Sequence, residues 1–181
     1  MAVTSVRAYL SLGTNLGDRL ANLVGAVRAI DATDAFDVTA VSPVYETAPL
    51  GPGGGVVAGQ PPYLNCALAV DVRVGAVASR ALTAQIERAM GRGAHGRWES
   101  RVIDIDLVLF GEERIATPEL TVPHARMIER AFVLRPLVDL YANVTAPGFG
   151  RLADLLPTVA GQGCVLYATS VAFRGLIGAA G

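Results

Sequence analysis

The chain has 181 residues, enough for one well-buried core and short for two, so a single domain spanning residues 1–181 is expected with its ligand site in a cleft of that domain. Lys and Arg number 15 against 16 Asp and Glu, a formal charge of -1, which gives no global field for a polyanion and argues against a nucleic-acid partner. No run of about 18 or more apolar residues occurs, so no membrane span is expected. With two cysteines, Cys66 and Cys164, the chain lacks a disulfide framework and the spacing of a metal site, and its start lacks a secretory pattern. The expected location is the cytoplasm.

Val6 to Leu12 reads as a buried strand ended by Gly13-Thr14-Asn15. Leu16, Leu20, Leu23, Val27 and Ile30 recur at helical spacing, with Asn15 as the candidate cap. Phe36 to Tyr45 is strand-like around Pro43, which points to an edge or a bend. From Ala48 to Pro62 Gly and Pro are too dense for a ladder or a helix to persist, so this long segment is a candidate lid or binding loop. Tyr63 to Val72 returns to strand character, Val77 to Met90 reads as a helix, and a polar loop rich in Arg leads into a strand from Val102 to Phe110. Arg114-Ile115 and Pro118 suggest a hairpin-like return, and Pro123-His124 opens a short helix through Arg130. Phe132 to Leu137 packs apolar side chains around Pro136, Leu152 to Leu156 is a last short helix, and the closing Gly-rich residues from Gly175 are expected to be loosely held. Strands and helices do not alternate regularly enough for repeated βαβ units. The expected fold is an α+β sandwich with a largely antiparallel sheet and helices packed outside.

Asp104 and Asp106 are the sharpest local feature. On a strand they share one face while Ile103 and Ile105 enter the other. Two such carboxylates repel unless a cation joins them, and Mg takes oxygen ligands while keeping waters and phosphate oxygens. The competing reading is a solvent-facing pair bridged to neighbouring Arg. Arg92, Arg97 and Arg101 shift the balance, because an arginine fork matches phosphate oxygens and offsets charge on a transferring phosphoryl group. Trp98 either anchors that loop or stacks on a ligand. Glu87 either hydrogen-bonds a ligand hydroxyl or pairs with an Arg on a helix surface, and the amide of Asn65 either reads a flat heterocycle or ties down the adjacent loop. Tyr63 and Phe132 are suited to stacking on such a ring, and equally to the core; His124 is either a phosphate contact or a turn histidine. No G-x-x-x-x-G-K-[ST], G-x-G-x-x-G or G-x-S-x-G pattern is present.

In order and spacing these residues closely resemble the 6-hydroxymethyl-7,8-dihydropterin pyrophosphokinase family. The resemblance is carried by AYLSLGTNLG from Ala8, SPVYETAPLGP from Ser42, Tyr63-Leu64-Asn65, Ile86-Glu87, Arg92, Arg97-Trp98, Arg101 to Asp106, Leu120 to His124, and Phe132 to Leu137. It covers residues 6–158 and leaves 159–181 as a C-terminal extension.

The resemblance implies a ferredoxin-like three-layer sandwich and a transfer of pyrophosphate from ATP to a reduced pterin, with AMP leaving. It implies that Asp104 and Asp106 hold two Mg ions, and that Arg92 and Arg101 stabilise the transferring group. Glu87, Ile105, His124 and Arg130 join Arg92 and Arg101 in the nucleotide site. Thr47, Pro49, Leu50, Tyr63, Asn65, Trp98 and Phe132 surround the pterin. A monomer is expected, with weak association to neighbouring folate-pathway enzymes. Departures are Glu99-Ser100 where relatives carry Gly-Pro, the insert Gly53 to Gln60, and Ala94, His95 and Glu119 where some relatives place arginines. Two other readings are a different Mg-dependent phosphoryl or nucleotidyl transferase, and a noncatalytic pterin- or nucleotide-binding protein.

Overall fold

The computed structural model describes residues 5–51, 54–91 and 100–179. Its centre is β1 (Val6–Thr14), flanked antiparallel by β4 (Tyr63–Val72) and β5 (Asp104–Phe110). Helices cover both faces of this centre, which is why its strands are apolar almost throughout, without the clean alternation of a half-solvated sheet. Outward from β4 lie β2 (Phe36–Val41) and β3 (Val44–Thr47), both antiparallel to it. They amount to one strand bent at Ser42-Pro43. Pro43 has no N–H for the ladder, and there the Ser42 hydroxyl accepts the Ala67 N–H at 2.8 Å while the Ser42 N–H bonds the Ala67 carbonyl at 2.9 Å.

Helix α1 (Arg19–Asp31) buries Leu23, Ala26, Val27 and Ile30 on the sheet. Its cap is Asp18, whose Oδ1 accepts the Ala21 N–H at 3.0 Å, and not Asn15, which corrects the expected helix start. Helix α2 (Ala76–Ala89) turns Ala76, Ser79, Thr83 and Glu87 inward, a stripe of small and polar residues against the same side.

Beyond β5, the hairpin of β6 (Ile115–Ala116) and β7 (Thr121–Val122) forms the expected return. The helix expected from Pro123 through Arg130 is only a 3-10 turn at Met127–Glu129. Instead α3 (Ala131–Leu140) takes up the apolar run around Pro136 and packs on the opposite sheet face, with Leu134 and Leu137 beside Ala67 and Leu109. A small hairpin, β8 (Thr145–Ala146) with β9 (Gly150–Arg151), and a 3-10 segment Leu152–Val159 close that layer.

The C-terminal segment is docked, against expectation. Strand β10 (Val165–Ala168) adds to the free edge of β3, and α4 (Ser170–Gly178) inserts Phe173, fully buried, into the α1 side of the core. Burial of one phenylalanine contributes about 2 kcal/mol. Arg28 adds bonds to the last carbonyls of α4, Leu176 at 2.6 Å and Ile177 at 2.9 Å, so Gly175 to Gly178 are held despite their composition. Among the described residues no helix is long and apolar enough to cross a membrane.

Candidate active site

Strand register builds the site. Asn65 pairs with Gly13, Gly13 with Asp104, and one step along Ser11 pairs with Asp106. Directly opposed residues of an antiparallel ladder share a face, so an amide, a glycine, a hydroxyl and two carboxylates lie together on three neighbouring strands. Thr47 and Tyr63, themselves opposed, continue that face. Over it opens a cavity of about 400 Å³, walled by Leu50 and Gln60 of the long loop, Arg80 of α2, and His124, Arg126, Arg130 and Phe132 of the segment after β7.

At one end of the cavity the charges are concentrated. Arg101 Nη1 contacts Asp104 Oδ2 at 2.5 Å. Burial, and then the neighbouring Asp104 charge, push the Asp106 carboxyl above the usual carboxylate range, with His124, Arg130 and Arg80 pulling the other way. His124 Nε2 is 3.8 Å from Asp106 Oδ2, and its Nδ1 accepts the Arg126 N–H at 3.3 Å. The neutral imidazole therefore carries its proton on Nε2, facing the acid. Burial lowers the His124 pKa, with Asp106 opposing. Arg130 is also lowered by burial and then by Arg126, yet a guanidinium stays charged at any working pH.

Glu87 lies beneath the strand that carries the two carboxylates. Its side chain is 3% exposed, does not line the cavity, and accepts the Ile105 N–H at 2.7 Å, with Arg80 Nη1 at 3.8 Å. It sets the strand that carries the carboxylates. Ile105 likewise sends its side chain into the core and gives its N–H to Glu87.

At the other end, Asn65 is 2% exposed and donates from Nδ2 to Thr47 Oγ1 at 2.8 Å. Tyr63 is desolvated enough to raise its phenol pKa, and Phe132 lies under the Arg130 guanidinium at 5.5 Å. Leu50 lines the cavity, whereas Pro49 is buried behind it with its carbonyl accepting the Val57 N–H at 2.8 Å. The Gly-rich loop is more ordered than its composition suggests: Leu50 and Val56 form a bridge, and Gly51 N–H bonds the Gly55 carbonyl at 2.8 Å.

Thus Thr47, Leu50, Tyr63, Asn65, Arg101, Asp104, Asp106, His124, Arg130 and Phe132 converge. Arg92, Arg97, Trp98 and Glu99 lie outside the described residues. Ser11, Gly13, Gln60, Arg80 and Arg126 line the cavity without having been singled out. Strand parity from Asn65 would have found Ser11 and Gly13 once the register was known. Arg80 lies seven residues before Glu87 on α2, two turns along one helix face.

Among the described residues no group of three metal-ligating side chains exists. Mg bound through a nucleotide needs only one or two carboxylates, the rest of its shell being phosphate oxygen and water, so Asp104 and Asp106 fit that ion.

Paired carboxylates beside arginines, at the floor of an open cleft, define a phosphoryl-transfer enzyme. Residues 9–142 match the family 7,8-dihydro-6-hydroxymethylpterin-pyrophosphokinase (HPPK), and the chain belongs to that family. The 2-amino-4-hydroxy-6-hydroxymethyldihydropteridine pyrophosphokinase of Bacillus subtilis is 41% identical over 137 residues, 76% of this chain and 79% of that one. The mitochondrial folate synthesis bifunctional protein of Pisum sativum is 37% identical over 131 residues, 72% of this chain but 24% of that one. Among solved structures, Plasmodium falciparum HPPK-DHPS A437G superposes with a TM-score of 0.68 at 14% identity, over 87% of this chain and 46% of that one, a likeness of fold.

Proposed function

We infer that this chain transfers pyrophosphate from ATP to 6-hydroxymethyl-7,8-dihydropterin, giving AMP and the pterin diphosphate, a step of folate biosynthesis. The observation that supports this reading is that Asn65 and Asp104 are both register partners of Gly13, so that a side-chain amide and a carboxylate line one cavity. Asn65 and Thr47 offer donor and acceptor groups to the edge of the pterin ring, and Tyr63 and Phe132 supply apolar walls. Arg101, Arg126 and Arg130 face the phosphates. Asp104 and Asp106 hold Mg, two ions with the nucleotide, and when bound the metal neutralises phosphate charge and lowers the pKa of the attacking alcohol. The hydroxymethyl oxygen bonds to the β-phosphorus, the bond from that phosphorus to the oxygen bridging to the α-phosphate breaks, and AMP leaves with that oxygen. The alcohol proton passes to solvent. The residues named here contribute alignment and charge placement, and the chemistry requires no covalent enzyme intermediate.

The finer reading of the fold is ferredoxin-like. It is supported by the order β–α–β–β–α–β through β5 when β2 and β3 count as one bent strand, and by the antiparallel spatial order β3–β4–β1–β5. A cytoplasmic monomer, weakly associated with neighbouring folate-pathway enzymes, completes the proposal. Both cysteines being free thiols suits a reducing compartment, and the bifunctional pea relative supports the association.

The test is a time course with Mg-ATP and the hydroxymethyldihydropterin that resolves AMP, ADP, free pyrophosphate and pterin diphosphate. Equal formation of AMP and pterin diphosphate is the expected result. ADP would make the protein a simple kinase, pyrophosphate release a nucleotidyltransferase, and ternary binding without product a noncatalytic binder.

A further inference from the structure

Residues 165–178 lie beyond the family-matched residues 9–142, yet they touch the scaffold of the pterin end of the cavity. The link is Arg19, the first residue of α1. A cation at a helix N-terminus opposes the helix dipole, so its place there needs other partners. It has three. Nη1 donates to Glu46 Oε2 at 2.8 Å and to the Pro62 carbonyl at 2.8 Å, and the guanidinium carbon lies 6.0 Å from the centre of the Tyr167 ring.

Each partner leads to a different part of the site. Glu46 precedes Thr47, the hydroxyl partner of Asn65. Pro62 is the last residue of the long loop and is bonded to Tyr63, which walls the cavity. Tyr167 belongs to β10, and the β10–β3 ladder shifts register between Leu166 and Ala168, where it stands. Such a bulge re-aims a side chain. The Arg19 side chain is 24% exposed, so its contacts are only partly screened by water.

We propose that Arg19, backed by Tyr167, is a positioning residue for the pterin, and that the C-terminal strand and helix are part of the substrate-binding apparatus. The inference rests on the pyrophosphokinase reading. Arg19 does not touch the substrate. It fixes the exit of the loop at Pro62 relative to β3, and so holds Tyr63 and Thr47 at one spacing across the pterin. The Tyr167 ring shields the guanidinium and limits its rotamers, while α4 anchors β10 through Phe173.

The experiment compares wild type, Arg19→Met, Tyr167→Leu, Tyr167→Phe and the double variant Arg19→Met/Tyr167→Leu, with melting curves to verify folding. Arg19→Met is expected to raise KM for the dihydropterin on the order of tenfold while KM for ATP stays within about twofold. Tyr167→Leu is expected to shift the same parameter less, Tyr167→Phe to match wild type, and the double variant to be no worse than Arg19→Met, since the two act through one contact. Folded Arg19→Met and Tyr167→Leu with wild-type pterin KM, or with pterin and ATP KM shifted in parallel, would overturn the proposal. If Arg19→Met does not fold, Tyr167→Leu against Tyr167→Phe decides it. Absence of AMP from wild type marks instead the failure of the pyrophosphokinase reading.

Discussion

The Glu87 carboxylate of α2 accepts the backbone N–H of Ile105 at 2.7 Å, and Ile105 is the residue between Asp104 and Asp106. A helix side chain thereby fixes the height and twist of the strand that presents both carboxylates. Glu87→Ala leaves a buried N–H without its acceptor, a loss of about 1–3 kcal/mol. The variant is expected to unfold at correspondingly lower urea and to lose kcat more than pterin affinity, since the metal-facing strand shifts while the Asn65 end does not. Glu87→Gln keeps an oxygen for Ile105 and should recover most of the stability. An alanine variant with wild-type stability and kcat removes this role.

The same carboxylates give a signed pH dependence. Burial and Asp104 raise the folded pKa of Asp106 above the unfolded value. The stabilisation from its bound proton is fully present below the ordinary carboxylate range and is lost as pH rises through the raised folded value. His124 is lowered by burial, so its contribution is present above the ordinary imidazole range and lost as pH falls through the lowered value. In EDTA, Asp106→Asn should therefore flatten the acidic part of the stability profile, and His124→Gln the part nearer neutrality. Mg requires the ionised acid, so its affinity should fall as pH drops through the Asp106 transition. Denaturation midpoints from pH 4 to 8, with and without Mg, check all three; a wild-type profile in Asp106→Asn contradicts the assignment.

Gly13 tests the register argument most directly. A Cβ there would stand 3.0 Å from Asn65 Oδ1, tighter than ordinary contact, while Asn65 is already held by Thr47 at 2.8 Å. Gly13→Ala is expected to tilt the amide and raise KM for the dihydropterin about tenfold, the scale of one well-made hydrogen bond, with little change in melting temperature. Asn65→Ala should give a similar KM. Unchanged pterin KM in Gly13→Ala would mean that the amide does not read the ring.

What the sequence made legible was what depends on period. Tyr63 to Val72 follows from a short, nearly continuous apolar run, the shared face of Asp104 and Asp106 from strand alternation, and the α1 stripe from helical spacing. Glu87 was harder, because a carboxylate in a helix reads as surface until an unpaired strand N–H is known to face it. The docked Gly175 to Gly178 are not legible because α4 is held by its own Phe173 buried in the distant core and by Arg28, 145 residues before that phenylalanine. Asn15 reads as a cap in the sequence because the side chain that caps a helix can equally bond a distant backbone, and only tertiary placement distinguishes the two.

Asn15 is 1% exposed, and every polar atom of its amide is used on segments far away in sequence. Oδ1 accepts the Arg101 N–H at 2.7 Å, the Asn15 N–H bonds the Arg101 carbonyl at 3.0 Å, and Nδ2 reaches both Ser100 Oγ and the Pro61 carbonyl at 3.2 Å. One side chain thus ties the end of the pterin-side loop to the residue that pairs with Asp104. Ser100 supplies the hydroxyl that accepts one of these bonds. Asn15→Asp keeps the acceptor for Arg101 but has no donors for Pro61 and Ser100, and it brings a negative charge toward two oxygens. Asn15→Ala loses all three side-chain bonds and leaves the Arg101 N–H without its acceptor, costing about 1–3 kcal/mol. If the residue couples the two ends, both variants should raise KM for pterin and for ATP together, in contrast to the pterin-only effect of Gly13→Ala. An effect on one substrate alone would place Asn15 in that substrate's subsite and leave the loops independent.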